Sequence, residues 1–327
     1  AWYNGHPDYV ERTFNLSCET AVVIGIGNVA VDVARILSKT VDELKNTDIS
    51  EHALNVLAES KIKNVHLIGR RGPAQAAFTP QELKELGELQ DSEFVLDDPS
   101  LELNPESQAE LDQPKASQAR KLIKILTEFA QRPATAKSRR LVLHLLKSPI
   151  ELVGDGRINE VVLEKNTLIG EPGKQKSRGT GETEHLDCGV LFRSVGYRGA
   201  PIPGVPFDEQ WGIIPNEDGR VVEDGKPITG LYAAGWIKRG PSGIIGTNKP
   251  DSIATVKALL ADMPSLEPSP KREKESVMAH LSSKGVKFVD YDAWKKIDAA
   301  EIARGEAKGK PREKFVTVDG MLAAAGL

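Results

Sequence analysis

The sequence is short of the features that single out several protein classes. It has 2 cysteines, Cys18 and Cys188, far apart in the chain and in no spacing that grips a metal or forms a C-x-x-C redox pair. Buried or incidental thiols in a reducing compartment are therefore expected. No apolar run is long enough to span a bilayer and no charged-then-apolar leader marks secretion, so the expected location is cytoplasmic. Lysine and arginine total 43 against 47 acidic residues, a formal net charge of −4, which gives no global signature of a nucleic-acid binder. Repeats of solenoid period are absent as well. What is left is a chain of 327 residues, longer than one typical core and expected to form two domains.

Its most informative stretch lies near the start. Ala21, Val22, Val23 and Ile24 form a short apolar run suited to a buried parallel strand, and Val31, Ala34, Ile36 and Leu37 then recur at helical spacing. Between them stands Gly25-Ile26-Gly27-Asn28-Val29-Ala30. This is G-x-G-x-x-A, in which the first glycine makes a tight turn, the second admits a pyrophosphate to the backbone, and a small third residue lets helix and strand pack closely. The helix N-terminus then offers unpaired N–H groups and positive dipole to phosphate. A glycine turn alone is weak, but here strand and helix flank it.

A fingerprint of this type needs a second strand whose end meets the adenosine ribose. Asn64-Val65-His66-Leu67-Ile68-Gly69 supplies it and stops at Arg70-Arg71-Gly72. An acidic residue there suits the 2′-hydroxyl of NAD, whereas an arginine pair suits the 2′-phosphate of NADP. The spacing is roughly twice the usual interval of about 20 residues. The insert, residues 38–61, reads as two helical pieces joined at Thr47-Asp48.

Further along, residues 73–89 carry a helix with Thr79 as cap, Pro80 at the first position and Glu82 in the first turn. Residues 91–117 are acidic and weakly periodic, which predicts a surface excursion. Residues 119–131 form a basic amphipathic helix. Strands at 140–146, 149–153 and 158–165 look like an antiparallel meander, and 170–183, rich in Gly, Lys and Ser, like a flexible hairpin tip. A buried strand then leads into Gly196, and another, 230–236, ends in Ala233-Ala234-Gly235-Trp236. Small residues and glycines from Ile237 to Asn248 would let backbone amides approach a flat, polar-edged ring, and a helix over 251–260 could aim its N-terminus at negative charge.

Taken together, GIGNVAVDVARIL, LIGRRGPAQAAFTPQEL, SVGYRG and GWIKRGPSGIIGTNK resemble the NADP-dependent ferredoxin reductases of the adrenodoxin reductase type, most of all their actinobacterial flavoprotein branch. The resemblance runs through essentially the whole chain. It implies an α/β fold with two dinucleotide-binding, Rossmann-like domains, the NADP domain being inserted into an FAD domain that is only partly present. Residues 1–14 would connect from the FAD domain, 15–193 would form the NADP domain, and 194–327 the C-terminal part of the FAD domain. Family members begin with a first glycine-rich segment holding the ADP part of FAD, and that segment is expected to precede Ala1-Trp2-Tyr3-Asn4.

Residue by residue, the resemblance implies that Gly25, Gly27, Asn28, Val29 and Ala30 cradle the NADP pyrophosphate. Arg70 and Arg71 would clamp the 2′-phosphate, with Glu82 on the ribose side. Gly235, Trp236, Gly243, Ile244 and Ile245 correspond to flavin-contacting positions. Glu85 matches an acidic position that the family pairs with a histidine outside this chain, and it is the candidate catalytic residue. Trp236, where related two-dinucleotide flavoproteins have an aspartate, argues against a thioredoxin reductase.

The implied cofactors are FAD and NADP, and the implied partner is a ferredoxin or similar acidic iron–sulfur protein. Such a partner calls for a basic face, and Lys115, Arg120, Lys121, Lys124, Arg132, Lys137, Arg139 and Arg140 cluster with little compensating acid. A solvated charged face explains such a run equally well. The alternatives are an NADP-binding module without flavin or turnover, and a reductase of the glutamate synthase small-subunit type.

Overall fold

The strand expected before the glycine turn is β1, Thr20–Ile24, and the helix after it is α1, Asn28–Ser38, which buries Ala30, Val31, Ala34 and Leu37 along one stripe. The computed structural model describes residues 1–243, 245–267 and 274–327, with the side chains of Ile245 and Lys274 outside that description. The insert forms α2, Val41–Leu44, and α3, Glu51–Ala58, whose N-cap is Ser50 rather than Thr47 or Asp48. β2, Asn64–Ile68, follows, and then α4, Pro80–Leu86, capped by Thr79 as expected.

Residues 91–117 depart from the expected surface excursion. They contain β3, Ser92–Leu96, and α5, Pro105–Leu111, ahead of α6, Ser117–Ala130. β3 carries alternating buried side chains, so its acidic setting hides a strand. A second correction concerns β4, Arg139–His144, which runs parallel to both β2 and β3 rather than opening an antiparallel meander. The meander proper comprises β5, Lys147–Val153, β6, Glu160–Ile169, and β7, Lys176–Asp187. Most of the expected flexible tip is thus strand, because β7 pairs along β6 as far as Lys176.

β8, Val190–Arg193, returns parallel to β1 and completes a five-stranded sheet in the order β3-β4-β2-β1-β8. One face of this sheet packs on helices through Ala21, Val23, Val65 and Leu67. On the other face Val22 and Ile68 meet Val161 and Leu163 of the antiparallel sheet, together with Cys188. Burial pushes the Cys188 thiol up to about 11, as expected of a structural cysteine.

Packing divides the chain into one unit of Ala1–Val195 with Val289–Leu327 and a second of Gly196–Phe288. The second holds β9, Asn216–Glu217, β10, Arg220–Glu223, and β11, Lys226–Tyr232, paired antiparallel, followed by α7, Trp236–Arg239, α8, Ile245–Asp262, and α9, Lys274–Ser283. Its small core is Ile214, Val221 and Ala233. The helix expected over 251–260 begins earlier, so Asp251 lies inside α8 and not at its N-terminus.

Residues 289–327 pack with the first unit and not with the segment that precedes them. There α10, Tyr291–Glu306, and α11, Val318–Ala325, flank a segment anchored by charge. Lys310 and Glu313 form a buried pair at 2.6 Å, and Lys314 reaches Asp48 at 2.7 Å.

Candidate functional site

The glycine turn sits at the C-terminal ends of three neighbouring strands. Gly25 has φ +124°, and a Cβ there would stand 2.0 Å from the Ser194 carbonyl oxygen, so no other residue fits. Its N–H donates to Ile68 O at 2.9 Å, and Ser194 N–H donates to Ile24 O at 2.7 Å. The turn is thereby held between the ends of β2 and β8. Because β2 and β8 lie on opposite sides of β1, this is the point where an open α/β sheet leaves a crevice for a ligand.

At Gly27 the surroundings are open, with nothing within 4 Å of where a Cβ would begin. Gly27 is the N-cap of α1, which has neither a side-chain cap nor an acidic residue in its first turn. By contrast α2, α4, α5, α10 and α11 are capped by Thr40, Thr79, Asn104, Asp290 and Thr317. The turn therefore has the room and the free donors that a pyrophosphate needs. Ala30 is fully buried, while Val29 stays exposed. Asn28 has a structural duty as well, since its Oδ1 accepts the Thr79 N–H at 3.0 Å and ties the turn to the cap of α4.

Arg70 is exposed and Arg71 half-buried immediately past the end of β2. Among the described residues no acidic side chain pairs with either. Gly69 precedes them because a Cβ there would lie 2.7 Å from Ile26 of the glycine turn. Glu82 and Glu85 project from α4 onto Arg35 of α1, each making an ion pair with one of its terminal nitrogens. Asp32 shares the same guanidinium at 2.9 Å. Glu85 also accepts from Gln81 at 3.0 Å.

Below the arginine turn runs a chain of polar groups. His66 Nδ1 lies 2.8 Å from His144 Nε2, and His144 Nδ1 lies 3.4 Å from Asp97, too far for a full hydrogen bond. Lys147 reaches Asp97 and Glu184, each at 2.6 Å. Burial, reinforced by His144, lowers His66 to about 4. His144 first, and then the Lys147 ammonium, hold the Asp97 carboxyl well below the usual carboxylate range against the opposing effect of burial.

In the second unit, Gly235 has φ +75° and donates its N–H to Asp251 at 2.6 Å. Asp251 also pairs with Lys238 at 3.1 Å. Burial opposes its charge, but the Gly235 N–H and the Lys238 ammonium outweigh it and lower the carboxyl. Trp236 is exposed and stacks on Tyr197 with ring centroids 5.9 Å apart and planes 30° from parallel. This gives a flat apolar face of the kind a flavin ring takes. Gly243 has φ +86° and lies against Thr247. Ile244 lies outside the described residues, as does the side chain of Ile245.

The basic cluster is thinner in space than in sequence. Arg120 donates to the carbonyls of Leu111 and Gln113, Arg132 to Gly87, Lys137 to Leu89 and Ser92, and Arg139 to Ser38 and Lys39. These cations close helix ends and loops. Lys115, Lys121, Lys124 and Arg140 remain exposed without such bonds. A cleft of about 390 Å³ opens nearby, between Phe78, Thr79 and Glu110, Lys115, Leu122, and none of the expected cofactor-binding or catalytic residues lines it.

No model of a protein family matches the sequence. Known proteins do. The chain is 41% identical to NADPH:adrenodoxin oxidoreductase, mitochondrial, of Homo sapiens over 336 residues, which cover 99% of this chain and 67% of that protein. It is also 41% identical to NADPH-ferredoxin reductase FprA of Mycobacterium tuberculosis over 329 residues, 98% of this chain and 70% of that one. The solved structure of Mycobacterium tuberculosis FprA in complex with NADPH matches with a TM-score of 0.90 at 40% identity, covering 100% of this chain and 72% of that chain. The chain belongs to the NADPH-dependent ferredoxin reductases of the adrenodoxin reductase type.

Its fold is accordingly the Rossmann-like α/β architecture of this reductase family. Three residues around the site escape a reading of the sequence. Asp32 and Arg35 have the i, i+3 spacing of a helical ion pair, a signal that was available, yet their partners on α4 come only from helix packing. Asn166, which bonds to the arginine turn from a different sheet, carries no sequence signal at all. Among the described residues no helix is long and apolar enough to cross a membrane.

Proposed function

We propose that this protein takes hydride from NADPH onto FAD and passes electrons singly to a ferredoxin-type iron–sulfur protein. The observation that carries the reading is the meeting, at the ends of β1 and β2, of an uncapped helix N-terminus with an arginine pair that no acid among the described residues neutralises. The names of its relatives, which specify NADPH, adrenodoxin and ferredoxin, supply the substrates.

FAD, when bound, supplies the conversion between two-electron and one-electron chemistry. The residues of this chain bind and orient. Gly25, Gly27 and the first N–H groups of α1, from Asn28 to Ala30, take the pyrophosphate, with Val29 facing solvent at its edge. Arg70 and Arg71 take the 2′-phosphate through charge-assisted bonds. Arg35 fixes Glu82, the residue for the ribose side, and Glu85, the candidate catalytic acid, on one guanidinium. Gly235, Trp236 and Gly243, with Ile244 and Ile245, hold the flavin ring, the stacked Tyr197 and Trp236 keeping water from one side of it. No nucleophile is needed, because hydride transfer depends on apposition of the two rings. Lys115, Lys121, Lys124 and Arg140 form the face that attracts an acidic iron–sulfur protein.

Anaerobic mixing of the flavin-loaded protein with NADPH and an oxidised ferredoxin tests this. Bleaching of the flavin band, followed by one-electron reduction of the ferredoxin at a rate that falls with added salt, is the expected sequence. Absence of bleaching by NADPH would overturn the proposal.

A further inference from the structure

The arginine turn is held from outside the sheet that carries it. Each carbonyl of Gly69, Arg70 and Arg71 has a donor, two from the segment that follows β4 and one from β6. Lys147 N–H donates to Gly69 O at 3.0 Å, and Leu146 N–H to Arg71 O at 3.1 Å. The middle carbonyl, Arg70 O, accepts instead from a side chain, the Nδ2 of Asn166 on β6, at 3.0 Å.

Asn166 is buried, 9% exposed, and its amide nitrogen is fully used, because Nδ2 also donates to Ser148 Oγ at 2.8 Å. Its backbone N–H donates to Leu146 O at 2.7 Å. Leu146 itself has φ +55°, a left-handed conformation rare for a branched residue and sustained only where the surroundings enforce it. The corner between the two sheets is therefore built around Asn166, with the two arginines on its outer side.

We propose that Asn166 is a positioning residue for the phosphate clamp and thereby sets the preference for NADP over NAD. The inference rests on Arg70 and Arg71 gripping the 2′-phosphate. Two guanidinium groups converge on one phosphate only if the peptide between them keeps a single orientation, and among the described residues the Asn166 amide is the one side-chain bond to that peptide's carbonyl. Without it the peptide is free to turn, and each arginine samples solvent. NAD presents no phosphate to the turn, so its binding does not draw on this order.

The test measures Kd for NADP+ and NAD+ by calorimetry on the protein, on Asn166→Ala, on Asn166→Leu, which refills the volume without a donor, and on the Arg70→Ala/Arg71→Ala double variant. Melting temperature is recorded for each. The expected result is a loss of about tenfold in NADP+ affinity for both Asn166 variants, the scale of one charge-supporting hydrogen bond, with NAD+ affinity within about twofold. Equal losses for the two nucleotides, or unchanged selectivity in whichever Asn166 variant folds, would overturn the positioning role while the double variant still loses its preference. If the double variant keeps its preference for NADP+, the phosphate assignment itself falls and takes the positioning role with it.

Discussion

Arg35 of α1 holds Glu82 and Glu85 of α4 at once, one carboxylate on each terminal nitrogen of its guanidinium. The arginine side chain is 17% exposed, so three acids, counting Asp32, converge on one half-buried cation directly behind the glycine turn. The pairing locks the helix that begins the candidate pyrophosphate site to the helix that carries the candidate acid. It also keeps two negative charges from standing unopposed beside the candidate pyrophosphate turn.

Replacing Arg35 with alanine is therefore expected to act twice. Stability should fall by about 2 kcal/mol, less than for a fully buried pair because the carboxylates remain partly solvated. NADP+ affinity should fall as well, since Glu82 and Glu85 are left uncompensated near the phosphates. Urea denaturation and nucleotide titration of Arg35→Ala and of Arg35→Lys check both effects. Unchanged NADP+ affinity in a destabilised variant would reduce Arg35 to a structural strut.

Removing Arg70 and Arg71 together should weaken NADPH binding strongly and leave NADH nearly unchanged. Each charge-assisted contact contributes on the order of 1.5–3 kcal/mol. Steady-state KM values for the two nucleotides would show the difference, and equal losses for both would refute the assignment of the clamp.

Ala30→Leu places a branched side chain where α1 lies against the sheet with no exposure at all. Overpacking there should cost about 1–3 kcal/mol and push the helix off the turn, so NADP+ binding is lost while a bound flavin keeps its absorbance. A variant that folds and binds NADP+ normally would contradict the fingerprint.

Burial of His66 should make stability fall in mild acid. His66 has its proton affinity lowered from 6.5 to about 4 in the folded protein, chiefly by burial. Between those values the unfolded chain binds a proton that the folded chain does not, so stability present above pH 6.5 is lost as pH falls toward 4. The loss is at most about 3 kcal/mol. Asp97, with its carboxyl held low, adds its own loss only below the ordinary carboxylate range. Urea midpoints measured from pH 7 to pH 4 should slope downward, and His66→Gln should flatten the curve across that interval.

Several elements were legible because short-range chemistry specifies them. The β1, glycine turn and α1 sequence needs only a β-branched run, two glycines and a helical stripe. Thr79-Pro80 announced the start of α4 in the same way, through a cap and a proline at the first position. β3 was not legible, because an edge strand of five residues in an acidic stretch has too few apolar positions to stand out. The direction of β4 was equally hidden, since a buried strand has the same composition whether its neighbours run with it or against it.

The sequence by itself determined the chemical groups on offer, namely a glycine turn that opens a helix and an arginine pair at the end of the second strand. Those properties reside in single residues and their immediate neighbours. Only the tertiary structure decided how that chemistry is aimed. Arg35 meets Glu82 and Glu85, and Asn166 meets Arg70, across 47, 50 and 96 positions of chain. It also decided that half of the basic cluster is occupied with closing helix ends and loops. A hydrogen bond is fixed by distances of about 3 Å, and only the packing of helices and sheets brings residues so distant in sequence within that reach.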